Sequence, residues 1–354
     1  MPNFPSSSSF LLSSFMVAIL ISCISHSALA GNHGKIIADS PMLTHKLGIN
    51  RTIKVDISGQ GDFTSIQDAI DSIPEENSQW VIVHVRKGLY REKVRIHNRP
   101  YIFLRGNGRG RTSITWSQSS TDNVASATFR AESHDVIVFG ISFQNEAPTG
   151  IAYTSQNQSV AVYVAADKVA FYHCSFYSTH NTLFDQRGRH YYANCYIQGM
   201  HAFVNVGYGV NGALNKRILA QNPEIFVIDD KRLKVQGSIT AHNRENADEL
   251  NGYIFIKGRV YGTGLVYLGR AKGSYSRVIF AETYLSKTIV APGWTNWSHD
   301  GSTENIVHAE YNTRGPGSVK DGRAPWSLQL TKQEVEPFLS IDYIDGKNWL
   351  PVWL

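Results

Sequence analysis

The chain has 354 residues, 42 % of them hydrophobic and 18 % charged, which is enough apolar material for a sizeable core and too little charge for a disordered polymer. Lysine and arginine outnumber aspartate and glutamate to give a formal charge of +5, a mild bias toward acidic partners, yet no run of five basic residues points to nucleic acid. Three cysteines are too few for a disulfide scaffold.

Residues 1–30 carry no charged side chain, and the apolar stretch Phe10 to Ile24 leads into Ala28-Leu29-Ala30. The stretch is too short to span a bilayer and ends in a small-x-small site, so it reads as a secretory signal peptide. Residues 31–354 are then expected to form a single extracellular domain with no membrane segment. In a secreted chain, Asn50, Asn157 and Asn296 each open an Asn-x-Ser/Thr glycosylation sequon. Cys23 leaves with the leader, and Cys174 and Cys195 either pair as a disulfide or lie buried as thiols.

Ile66, Ala69, Ile70 and Ile73 fall at helical spacing, with Thr64 or Ser65 as N-cap and Pro74 as the stop. After this helix the period changes to two. β-Branched and aromatic runs at Val81 to Val85, Tyr101 to Leu104, Val136 to Phe143, Val160 to Val164, Tyr191 to Ile197 and Gly252 to Val260 predict strands through most of the chain. From Trp294 onward Gly, Pro, Asn and Ser dominate, with a short helix expected over Thr331 to Phe338 in a tail lying along the rest.

The strands lack Asn-Gly hairpin turns and recur in related phrases: Ile141-Ser-Phe-Gln-Asn, Cys174-Ser-Phe-Tyr-Ser and Cys195-Tyr-Ile-Gln-Gly. Cys174 and Cys195 are 21 residues apart, about one turn of a solenoid with several short strands per coil. A β-sandwich would also alternate. Stacked parallel coils explain in addition the absent hairpins and an early helix placed to cap the open end of the core.

The sequence resembles the plant pectinesterases, which hydrolyse methyl esters on the polygalacturonate of cell walls. The likeness runs from Gly61-Asp62-Phe63-Thr64-Ser65-Ile66-Gln67 and Gly88-Leu89-Tyr90-Arg91-Glu92 through Gln158-Ser159-Val160-Ala161-Val162 and Gly188-Arg189-His190-Tyr191-Tyr192. It continues to Tyr267-Leu268-Gly269-Arg270, Gly293-Trp294 and Gly315-Pro316-Gly317. It implies an all-β fold, a right-handed parallel β-helix of the pectin-lyase kind with a short N-terminal capping helix. It also implies a long cleft for pectin, no cofactor or metal, and a monomer in the cell wall.

The family's chemistry uses one aspartate as nucleophile, a second as proton donor, two glutamines for the oxyanion and an arginine beside the nucleophile. By resemblance the first glutamine is Gln158 and the arginine is Arg270, both retained. The second glutamine and the proton donor fall on His180 and Asn181, in His-Asn-Thr-Leu-Phe. The nucleophile falls on Ala202. Lys272 stands where the family carries a tryptophan after Leu-Gly-Arg-Pro. An amide does not donate and recover a proton at neutral pH, and alanine has no nucleophile. The expected protein is therefore a secreted pectin-binding relative with little or no esterase activity, the alternative being an active pectinesterase.

Neighbouring residues offer partial substitutes. His201 precedes Ala202 but should face the other side of a strand. Asp185 reads as an exposed carboxylate in a turn. An unperturbed imidazole titrates near working pH, so His180 is a candidate base for water, or it simply keeps the hydrogen bond of the amide it replaces. His180, His190 and His201 match no common metal-ligand spacing. Tyr153, Tyr208 and Trp294 are candidate sugar platforms or packing residues, and only Trp294 gains from the resemblance.

Overall fold

A computed structural model describes residues 39–148, 158–200, 204–205, 216–235, 237–296 and 301–354. Each coil of the chain contributes one strand to each of three sheets. One coil runs Val169–Tyr172, Ser175–Tyr177 and Leu183–Asp185, and the next runs Gly188–Ala193, Tyr196–Gly199 and Val204–Asn205. Every strand pairs in parallel with its counterpart one coil away, as in Val162↔Leu183 and Phe176↔Ile197. Among the described residues the sheets hold eleven, eight and eight strands. The fold is the expected parallel β-helix.

The corner between the eleven-stranded sheet and the next recurs as one left-handed residue per coil: Gly140, His173, Asn194, Asn222, Lys257, Glu282 and Asn312, with φ between 47° and 64°. These corners revise three expected strands. Val136 to Phe143, Tyr191 to Ile197 and Gly252 to Val260 are each two strands, broken at Gly140, Asn194 and Lys257. A one-residue corner needs neither proline nor a polar cluster, so composition marks it poorly.

Inward side chains stack from coil to coil. Phe171 lies on Tyr192 with ring centroids 5.3 Å apart and planes 1° from parallel, and Phe143 lies on Phe176 at 6.1 Å. Such ladders follow from in-register parallel pairing, which sets equivalent positions one strand spacing apart.

The capping helix is Ile66–Asp71, and Ser65 is the N-cap, its Oγ accepting from the Asp68 amide. The Glu92 carboxylate also accepts from the Ile66 and Gln67 amides at 2.8 and 3.0 Å, where the helix dipole favours negative charge. Buried Ile66, Ala69 and Ile70 join the core cluster of the first coils. A helix over Ser40–Lys46, capped by Asp39, was not among the expected elements. The terminal helix spans Lys332–Leu339 behind a Thr331/Glu334 capping box. The tail covers the outer face of the eleven-stranded sheet, burying Val335, Ile341 and Ile344 against Ile82, Phe103, Leu219 and Ile254. No helix among the described residues is long and apolar enough to cross a membrane.

Candidate active site on the outer face of one sheet

The strands Val162–Val164, Leu183–Asp185 and Tyr267–Ala271 belong to the same eight-stranded sheet. Alternation along them sends Val162 and Leu183 into the core and Tyr163 and Phe184 outward. Register then aligns an outer row of Arg95, Arg130, Tyr163 and Phe184 on four consecutive coils, with Ala241, Arg270 and Thr295 continuing it farther along. Tyr163 and Phe184 stack at 5.6 Å, 18° from parallel, and the Arg130 guanidinium lies 5.9 Å from the Tyr163 ring centre. Only Val-Tyr-Val and Leu-Phe-Asp alternation could have identified this aromatic pair from the sequence.

Gln158 is fixed by a two-way backbone bridge to Ser120, with N–H to O distances of 2.8 and 3.0 Å. One coil later, Ser159 Oγ accepts from the His180 amide at 3.2 Å and lies 3.1 Å from Thr179 Oγ1. These bonds hold the turn that presents Asn181, whose φ is 51°, a left-handed geometry that asparagine tolerates well. Both Gln158 and Asn181 are buried.

The Asn181 amide donates to the Gln158 side-chain oxygen and, at 2.8 Å, to Asn123 Oδ1. Asn123 begins the short helix Asn123–Ser126, and Ser126 Oγ in turn accepts from the Val160 amide. Asn181 and Gln158 are thus joined directly, and Asn123, which the sequence analysis did not single out, shares the contact. In this arrangement position 181 is a donor of two amide hydrogens. An ionised carboxylate there would be acceptor only and would require the Gln158 amide to turn its Nε2 toward it.

Arg270 and Lys272 are half-buried near the end of their strand. Burial first, and the neighbouring Arg270 charge second, lower the Lys272 ammonium to about 8. His180 is buried, with Nδ1 3.4 Å from Thr179 Oγ1. Ala202, His201, Tyr153, Tyr208 and Asn157 lie outside the described residues.

Three expectations change. Trp294 is no sugar platform: it is 1 % exposed, inside the solenoid, with its ring 4.7 Å from His308 and 6.0 Å from Phe280. Its register partners Gly269 and, one coil farther, Thr240 leave room for the indole on the inner face. Asp185 is no exposed turn carboxylate. It is the inward residue of its strand, 1 % exposed and bonded to His190 and Tyr192. Cys174 and Cys195 are free, buried thiols, so the disulfide alternative is not the one observed. Their coils pair in register one strand apart, an arrangement that stacks side chains in parallel. Asn50 and Asn296 are exposed.

The fold is a parallel β-helix whose outer row gathers aromatic and cationic side chains from successive coils. The pectinesterase family model matches residues 52–347, and the chain belongs to that family. Probable pectinesterase 67 of Arabidopsis thaliana is 62 % identical over 317 residues, 89 % of this chain and 90 % of that protein. The pectin methylesterase from carrot has the same fold, with a TM-score of 0.77 at 25 % identity, covering 85 % of this chain and 95 % of that one. A pectin methylesterase solved in complex with a hexasaccharide superposes with a TM-score of 0.70 at 19 % identity, over 86 % of this chain and all of the other.

Proposed function

We propose that this is a secreted cell-wall protein that binds homogalacturonan along the outer row that holds Tyr163, Phe184 and Arg270, without hydrolysing its methyl esters. The observation that carries this reading is the Asn181 amide, which donates to Gln158 and Asn123 where the family's resemblance calls for an acid that delivers a proton to the leaving methanol. Ala202, at the position the resemblance gives to the nucleophile, supports it from the sequence. Arg270 and Gln158 remain as polar groups for a uronate chain, and the formal charge of +5 favours association with an acidic polymer. Residues 1–30 act as the leader, and the protein works as a monomer without metal or cofactor.

The second reading, an active pectinesterase releasing pectate and methanol, is favoured by family membership alone. Methanol release from methyl-esterified pectin separates the two. Purified protein should give no turnover above trace while an Asn181→Asp plus Ala202→Asp double variant gains it. Turnover by the unmodified chain at an ordinary enzymatic rate of about 1 s⁻¹ or more overturns the non-hydrolytic reading.

A further inference from the structure

The first three strands of the eleven-stranded sheet, Arg51–Val55, Val81–Val85 and Ile102–Arg105, pair so that Lys54 lies opposite His84 and His84 opposite Arg105. Val55, Val83, Val85 and Leu104 beside them are buried in the core, so alternation turns Lys54, His84 and Arg105 outward in one row along the solenoid. Adjacent members stand one strand spacing apart, about 4.8 Å, and the three together span roughly 10 Å. Lys54 is exposed, and His84 and Arg105 are half-buried. His84 Nε2 lies 3.0 Å from Asn107 Oδ1, a contact that holds the imidazole in the row. Of the carboxylates at this end of the sheet, Asp56 pairs with Arg86 at 3.0 Å and Asp62 accepts from the Lys54 main-chain amide at 2.7 Å. Among the described residues no ion pair reaches the side chain of Lys54 or Arg105. Burial first, then the positive charges of Arg105, Arg86 and Lys54, hold the His84 imidazole below its ordinary 6.5 against the pull of the Asn107 bond. The row continues to Phe139, half-buried, and then to Tyr172, whose hydroxyl donates to Val352 O at 2.6 Å beneath the tail.

Cations set in a line at strand spacing do not converge on one small anion, as the amides of a phosphate-binding concavity do. They match an extended chain that repeats a negative charge along one side, and the aromatic ring at the end of the row suits the apolar face of a sugar. We infer that Lys54, His84 and Arg105 form a second binding site, for an unesterified galacturonate chain, on a different sheet from the outer row that holds Arg270. The inference goes beyond the reading proposed above and shares with it only the polymer. Lys54 and the Arg105 fork donate charge-assisted hydrogen bonds to carboxylates of the chain, which a methyl ester does not receive. With Nε2–H given to Asn107 Oδ1, the neutral imidazole between them keeps Nδ1 as an acceptor for a sugar hydroxyl. Two sites on separate sheets let one molecule hold the polymer twice, which raises the avidity of either contact.

The test is calorimetric titration of a fully de-esterified galacturonate hexamer into the wild-type chain, a Lys54→Gln plus Arg105→Gln double variant and a Lys54→Arg plus Arg105→Lys double variant, each checked by thermal melt. The wild-type chain should take up two hexamers, the glutamine variant one, and the charge-keeping variant two again. Lys54→Gln alone, at an exposed position, should weaken the second site by about tenfold, the scale of one charge-assisted contact. Stoichiometry and affinity unchanged in the glutamine variant overturn the site, as does equal binding of a fully methyl-esterified hexamer there. A six-nucleotide single strand bound as tightly as the uronate, and lost in the same variant, overturns the assignment to uronate. One hexamer per wild-type chain, lost in the glutamine variant, leaves this site standing and sinks the outer-row reading instead. Absence of binding sinks both.

Discussion

His190 Nδ1 lies 2.8 Å from each carboxylate oxygen of Asp185, inside the solenoid, with neither side chain accessible to solvent. Tyr192 Oη donates to the same carboxylate at 2.7 Å, and His190 Nε2 reaches the Ala166 carbonyl at 2.7 Å. A charge so deep in an apolar core persists only because it is paired and fully hydrogen-bonded. Asp185→Ala should destabilise the fold by about 3–5 kcal/mol, since it strands a buried imidazole, while Tyr192→Phe should cost about 1–3 kcal/mol. Urea denaturation of both variants measures the difference.

The same pair sets a pH dependence. Burial opposes the charge on His190, but the Asp185 charge, its hydrogen bond and the Ala166 carbonyl outweigh it and raise the imidazole above its ordinary 6.5. Its contribution is fully present below about pH 6.5 and is lost as pH rises through the raised folded value. His308 runs the other way: burial lowers it to about 3, so the unfolded chain takes up the proton first and stability falls as pH drops below about 6.5. Denaturation midpoints measured across this range should show a decline on both sides, flattened on the alkaline side by His190→Gln and on the acid side by His308→Gln.

Cys174 and Cys195 should resist thiol reagents in the native protein. Both are fully buried, and burial raises the Cys195 thiol to about 12 and the Cys174 thiol well above its ordinary value. Peptide mapping after iodoacetamide treatment at pH 8 should find both unlabelled until denaturant is added. Labelling of either in the folded chain contradicts the packing.

Asn181→Asp should leave the fold intact, because aspartate also accepts the left-handed conformation at φ 51°. Asn181→Val should cost about 1–3 kcal/mol, since a β-branched residue is strained there. Thermal melts of the two single variants check this, and the first result keeps the activity test on the double variant free of a folding artefact.

Trp294→Ala should destabilise by about 3–5 kcal/mol through loss of a large buried ring. Trp294→Phe should retain homogalacturonan binding within about twofold, a limit set by the ring's distance from the outer face. A pectin-binding assay on the folded Phe variant shows whether the indole touches ligand.

Much of the scaffold was legible because it is periodic. The Ile66 helix, its cap at Ser65 and the 21-residue offset of Cys174 and Cys195 appear where the pattern put them, while three of the expected strands break at one-residue corners. What escaped was the side on which a residue lies. Asp185 was read from its chemistry as a solvated turn carboxylate, although Leu183 inward and Phe184 outward already oblige residue 185 to point inward. Trp294 fell the same way, since an aromatic suits the inside of a β-helix as well as a sugar groove. The Asn181 to Asn123 contact joins residues 58 positions apart, and no local pattern encodes it.

The inner and outer rows of the sheet have a consequence for how such a protein changes over time. Along Leu183–Asp185, Leu183 and Asp185 anchor the solenoid interior while Phe184 packs in the outer cluster with Tyr163 and Val160, so adjacent residues on one strand answer to separate constraints. A substitution in the outer row leaves the stacked interior untouched, and each coil leans only on its two neighbours. Side chains of the outer row are therefore replaceable one at a time while the stacked architecture stays as it is.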